Sequence, residues 1–191
     1  MKIWKALESS NSYRAGKLAI KRCLGLEVAV KIYAPKRLRI VGDWGFVEGV
    51  LSNDSVVYSF GVGDDIKFDC AIAGEIGCPV FCFDPTVKDS VFQDVRDSID
   101  YKIQFCAWAV AGVDGSLRLY ERLNSSGLPS GMYTLSAISA GTDEGIIVPA
   151  LRVSSIMEKL GHSHLDLVKF DVEGAEYAAV AAMLDDRVLP G

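Results

Sequence analysis

Ser55-Val56-Val57-Tyr58-Ser59-Phe60-Gly61-Val62-Gly63 is the stretch on which the fold turns. Val56 to Phe60 is β-branched and aromatic, with no sustained polar alternation, so it reads as a strand buried on both faces. Gly61 stops it, and a G-x-G turn with Asp64-Asp65 leads into Phe68, Ile72 and Ile76, spaced by four on a helix that Gly77 ends. The pattern then repeats. Pro79 to Phe83 predicts a second buried strand closed by Asp84-Pro85, Val87, Val91 and Val95 predict a helix, and Ile103 to Trp108 predicts a third strand. Buried strands separated by helices predict an α/β fold, a parallel sheet with right-handed crossovers and helices on both faces.

Toward the C-terminus, Ser116 to Tyr120 alternates after the Asp114-Gly115 turn, and Ile146 to Leu151 is a second extended piece. Between them the Ser/Gly-rich segment Asn124 to Gly145 reads as a loop over a ligand cleft. Ser154 is the expected cap of a helix holding Ile156, Met157 and Leu160, which Gly161 ends. His162 and His164 then fall in a solvated turn. Leu165 to Phe170 predicts a fourth strand ending at Asp171, and Glu173 to Leu184 a further helix. There is no internal repeat.

The 191 residues are 50% apolar and 24% charged, which suits one globular domain with an appendage and excludes a disordered chain. No run approaches the roughly 18 apolar residues of a membrane span. The net charge of −5 hides a division: residues 1–40 carry +8 and the remainder −13. We therefore expect a basic extension over 1–40, helical from the spacing of Leu18, Lys21, Arg22 and Leu26, ahead of a domain over 41–191. Its basic face is either solvated, with the apolar side packed on the domain, or a peripheral contact for an anionic membrane. Overall acidity argues against a nucleic-acid partner. No secretory signal is legible, and five cysteines without a C-x-x-C pair read as free thiols in a reducing cytoplasm, with no metal site expected.

In a parallel sheet, ligands bind at the carboxyl ends of the strands. Gly61 to Asp65, Asp84 and Asp171-Val172-Glu173-Gly174 all fall at such ends. A glycine turn admits close backbone approach, and Asp84, 23 residues beyond Gly61, sits where an acid accepts hydrogen bonds from a ribose diol. The pattern points to a nucleoside-containing cofactor. Ile66 replaces the third small residue of a dinucleotide fingerprint, and Asp64 and Asp65 would repel a pyrophosphate. Acidic residues suit the sulfonium and ammonium of S-adenosylmethionine better.

The runs Ser55 to Gly63, Cys82-Phe83-Asp84-Pro85-Thr86 and Asp166-Leu167-Val168-Lys169-Phe170-Asp171-Val172-Glu173-Gly174-Ala175-Glu176 resemble the FkbM family of S-adenosylmethionine-dependent methyltransferases, over roughly residues 40–191. The resemblance implies a Rossmann-like class I methyltransferase with a seven-stranded sheet, and O-methylation of a sugar, glycan or small natural product. Carried over by position, Gly61 and Gly63 line the methionine moiety after Phe60, and Asp84 holds the ribose. Ala107 and Trp108 stand at the adenine wall, while Asp171 and Glu173 face the transferring methyl and the acceptor, one of them as base or orienting group. Tyr133 is a further candidate for acceptor contact. The family's next strand would follow Pro190-Gly191, so the sheet is expected to lack its C-terminal strands and to offer an open edge for self-association. Two other readings stay open: an NAD(P)-dependent oxidoreductase and a non-catalytic Rossmann-like binding module.

Overall fold

The computed structural model describes residues 37–87 and 102–191, whose elements belong to one compact unit, Leu38–Gly191. The expected helix within residues 1–40 and most of the helix on Val87, Val91 and Val95 lie outside the described residues. The fold is mixed α/β. Strands β3 (Val57–Phe60), β4 (Val80–Phe83), β5 (Ile103–Cys106) and β10 (Leu167–Phe170) form a parallel sheet in the order β10-β3-β4-β5. These are the four strands that the sequence marks; the two central ones, β3 and β4, are buried throughout, whereas β5 and β10 are mostly half-buried.

Alternation along each strand separates two cores. Tyr58, Phe60, Phe81 and Phe83 face α3 (Val153–Leu160) and α4 (Glu176–Asp185), packing with Ile156, Met157, Ala179 and Met183. Val57, Val80 and Cys82 face the other way, onto Phe68, Ile72 and Ala73. These belong to α1 (Lys67–Ala71) and the π-helical turn Ile72–Ile76 that continues it. The expected single helix thus widens in its second half: the Gly77 N–H donates to Ile72 O at 3.3 Å, and the left-handed Gly77 ends it. Three polar side chains are buried on this face as well: Ser59, Asp69 and Lys169.

Where the resemblance implies one seven-stranded sheet, the described residues form a second, mixed sheet, β6 (Ala109–Val110), β9 (Gly145–Leu151), β7 (Gly115–Leu123) and β8 (Pro129–Thr134), in that order. The chain turns at Ala107-Trp108, where the Trp108 N–H donates to Cys106 O at 2.8 Å, and so leaves the parallel sheet. The expected loop from Asn124 to Gly145 is instead half structured, holding β8 and the short helix α2 (Ala137–Ala140). β8 escapes a pattern reading because only Thr134 in it is buried; its order comes from pairing with β7.

Two helix starts also differ from expectation. α3 has Arg152 at its N-terminus with no side-chain cap. Ser154 instead donates to Asp186 Oδ2 at 2.6 Å, and Asp114, from the turn before β7, accepts from the Arg152 N–H at 2.7 Å. α4 begins at Glu176, because 173–175 form a turn around the left-handed Gly174. Upstream, a hairpin that pattern reading missed pairs β1 (Leu38–Val41) with β2 (Trp44–Val47) and buries Phe46 edge-on against Phe68. Among the described residues, no helix is long and apolar enough to cross a membrane.

Candidate active site

The carboxyl ends of β3, β4 and β10 converge on a cleft of about 690 Å³, within the range of small-molecule sites. At its base Gly61 adopts φ +73°, and a Cβ there would lie 2.8 Å from the Asp171 carbonyl carbon and Val172 Cγ1. Gly61 is therefore required by the close passage of β10, a tertiary reason beside the ligand-approach role read from sequence. Gly63, at φ +54°, has nothing within 4 Å of a Cβ position. The floor is a stack of rings: Phe60 lies 4.7 Å from Phe83 and 5.2 Å from Phe170, and Trp108 continues it at 6.3 Å from Phe83. Phe60 and Trp108 line the cleft, whereas Ala107 is exposed and stands outside its lining.

Asp84 is buried to 8% exposure and clamps the glycine turn. Its Oδ2 accepts from the Gly63 N–H at 3.0 Å, and its Oδ1 from the Thr86 N–H at 2.9 Å and the Thr86 hydroxyl at 2.6 Å. A carboxylate has about four lone-pair sites, so Asp84 keeps one acceptor site for a ligand hydroxyl. Asp43, Asp64 and Asp65 line the same cleft. The Lys67 N–H and ammonium hold the Asp65 carboxyl below the usual range. A free acceptor on Asp84, open space at Gly63 and an acidic lining together fit the ribose, sulfonium and ammonium of S-adenosylmethionine.

Asp171 and Glu173 both reach the cleft. The Asp171 side chain is 61% exposed, with the Lys169 ammonium 3.9 Å from its Oδ2. Glu173 accepts from Arg122 of β7 at 3.0 Å. Arg122 went unnoticed in the sequence because it sits among the alternating residues of an ordinary strand. The hairpin turn Val41 to Trp44 also lines the cleft, as do Leu117, Leu119, Met132 and Tyr133 from the second sheet. Burial, with the neighbouring Glu121 carboxylate, pushes the Tyr133 hydroxyl up.

His162 is not in a solvated turn. Its Nδ1 shares a 2.6 Å hydrogen bond with the Tyr58 hydroxyl, and its ring packs edge-on against Phe81 at 4.5 Å. Burial lowers the imidazole and raises the Tyr58 hydroxyl, so both are neutral near pH 7. His164 stays exposed, 3.5 Å from Asp166. In comparisons with known proteins, the family model described as Methyltransferase FkbM domain matches residues 52–189. Neither the curated proteins nor the solved structures yielded a match.

Proposed function

Because the chain belongs to the FkbM methyltransferase family, we propose that it uses S-adenosylmethionine to methylate a hydroxyl oxygen on a sugar, glycan or small natural product. One observation carries this reading: the glycine turn, the Asp84 clamp and the two carboxylates Asp171 and Glu173 meet in a single cleft. The order β10-β3-β4-β5 supports a Rossmann-like class I sheet. The free, mostly buried thiols of Cys70, Cys78, Cys82 and Cys106 support a reducing, cytoplasmic setting. The acids Asp43, Asp64 and Asp65 in the lining weigh against a nicotinamide dinucleotide, whose pyrophosphate they would face.

When bound, S-adenosylmethionine supplies an electrophilic methyl on a sulfonium that leaves as a neutral thioether. Asp84 would hold the ribose, the Gly61 to Gly63 turn would line the methionine moiety, and the Trp108 ring would stand at the adenine wall. Asp171, at the exposed end of β10, would take the proton of the acceptor hydroxyl. Glu173, one oxygen held by Arg122, orients the acceptor with the other. Leu117 and Leu119, half-buried on β7, give that side of the cleft an apolar wall against which an acceptor would be positioned.

Calorimetric titration with S-adenosylhomocysteine and with NAD tests the reading. Binding of the first and not the second is expected. Asp84→Asn should weaken it about ten-fold or more, as expected for a hydrogen bond to a charged group. Binding of NAD without S-adenosylhomocysteine would overturn the assignment.

A further inference from the structure

Lys169 is the one lysine described as buried, its side chain only 4% exposed on the α1 face of the parallel sheet. An ammonium in such a place costs several kcal/mol unless it is compensated. Its surroundings come from three segments, of which the Trp44 ring and the Asp171 carboxylate compensate it directly. The Trp44 ring of the β1–β2 hairpin lies with its centroid 4.6 Å from the Nζ. The Asp171 carboxylate stands 3.9 Å away at the end of β10. Asp69 of α1 is fully buried beside Ser59, and the Lys169 charge acts through space on it and on Asp65. Burial pushes the Asp69 carboxyl up, against the pull of the nearby Ser59 hydroxyl and of Lys169.

The hairpin lies before residue 52, outside the segment that matches the family. Even so, its turn from Val41 to Trp44 forms part of the cleft lining, together with Asp171. Trp44 makes two of the contacts that hold the turn there, beside Phe46 on Phe68 and the Arg39–Glu75 ion pair: Phe68, with ring centroids 6.3 Å apart, and the Lys169 ammonium. Phe68 is an apolar partner without direction. The cation fixes the indole face and, through Asp171, ties it to the strand end that carries the reactive carboxylate.

We propose that Lys169 is a positioning residue: its buried ammonium, seated over Trp44 and beside Asp171, pins the β1–β2 turn against the end of β10 and so completes the wall of the cofactor cleft. The proposal rests on the S-adenosylmethionine reading above. It predicts that the affinity of the cleft depends on a side chain that no ligand touches, and on a hairpin outside the matched domain.

The test is a double-mutant cycle on the full chain, with S-adenosylhomocysteine affinity read by calorimetry and indole emission read without ligand. Lys169→Met and Trp44→Leu should each weaken binding by about three- to thirty-fold, the range that cation–π contacts cover from exposed to desolvated sites. The double variant should be no weaker than the worse single one. The Trp44 emission, taken as the difference between each protein and its Trp44→Leu counterpart, should shift in Lys169→Met, a change that a general loss of stability would not produce. Wild-type affinity in Lys169→Met, or losses that multiply in the double variant, would overturn the proposal and leave the methyltransferase reading intact. Should Lys169→Met fail to fold, Trp44→Leu decides alone, and unchanged affinity there overturns it. If the wild-type chain binds no S-adenosylhomocysteine, the cofactor reading falls and the proposal falls with it.

Discussion

Replacing Gly61 by alanine adds a single methyl group, yet it should be among the most damaging small changes in the chain. The backbone stands at φ +73°, where an L-residue costs roughly 1–2 kcal/mol. The new Cβ would also press on the Asp171 carbonyl and come within 2.8 Å of Val172 Cγ1. Neither wall yields easily: the Gly61 N–H is bonded to Phe83 O at 2.9 Å, and the Asp171 N–H to Phe60 O at 3.0 Å. Overpacking a rigid site adds about 1–3 kcal/mol. Contact with backbone puts this case toward the upper end, for a total of about 3–5 kcal/mol. At roughly 2–4 °C per kcal/mol for a chain of this size, the melting temperature should fall by roughly 6–20 °C. Urea unfolding gives the free energy directly, and Gly63→Ala is the internal control. Gly63 also has positive φ but open space around it, so only about 1–2 kcal/mol should be lost there. Equal losses at the two positions, or less than about 1 kcal/mol at Gly61, would refute the argument that β10 is what Gly61 accommodates.

Two further outcomes follow from the packing around α3 and His162. Asp186 accepts from the Arg152 guanidinium at 2.7 and 3.0 Å and from Ser154 at 2.6 Å, so Asp186→Ala should cost about 1–3 kcal/mol in urea unfolding; a loss under about 0.5 kcal/mol would show the tie to be idle. His162 is held below its usual pKa of 6.5 by burial and then by His164. The unfolded chain therefore takes up a proton there before the folded one does, and stability should be lost as pH falls from about 6.5. Urea midpoints at pH 7.5 and 5.5 should differ in the wild type and differ less in His162→Gln; the same slope in both would count against the assignment.

The parallel strands were legible because burial on both faces leaves an unbroken apolar run, as in Val56 to Phe60 and Pro79 to Phe83. Their ends were legible for the complementary reason that Gly61, Asp84 and Asp171 interrupt those runs. The hairpin was not, since Leu38 and Ile40 are exposed in a basic stretch and only Phe46 is buried. β8 was hidden among Ser, Gly and Pro, because its order comes from pairing with β7 rather than from an apolar face. Ser154 reads as a cap from its place in the chain, but Asp186, 32 residues on, takes its hydroxyl.

The amino-acid order alone therefore determined the succession of the parallel strands, their polar tips and the family, because short-range patterns of burial and turn chemistry are written locally. Tertiary structure decided which groups serve one another. Asp84 grips Gly63, Arg122 engages Glu173, Lys169 seats Trp44 and His162 meets Tyr58, each pairing segments 21 to 125 residues apart. Such pairings depend on how strands and helices are laid side by side. A charge or ring carries no local mark of the partner that folding will bring to it.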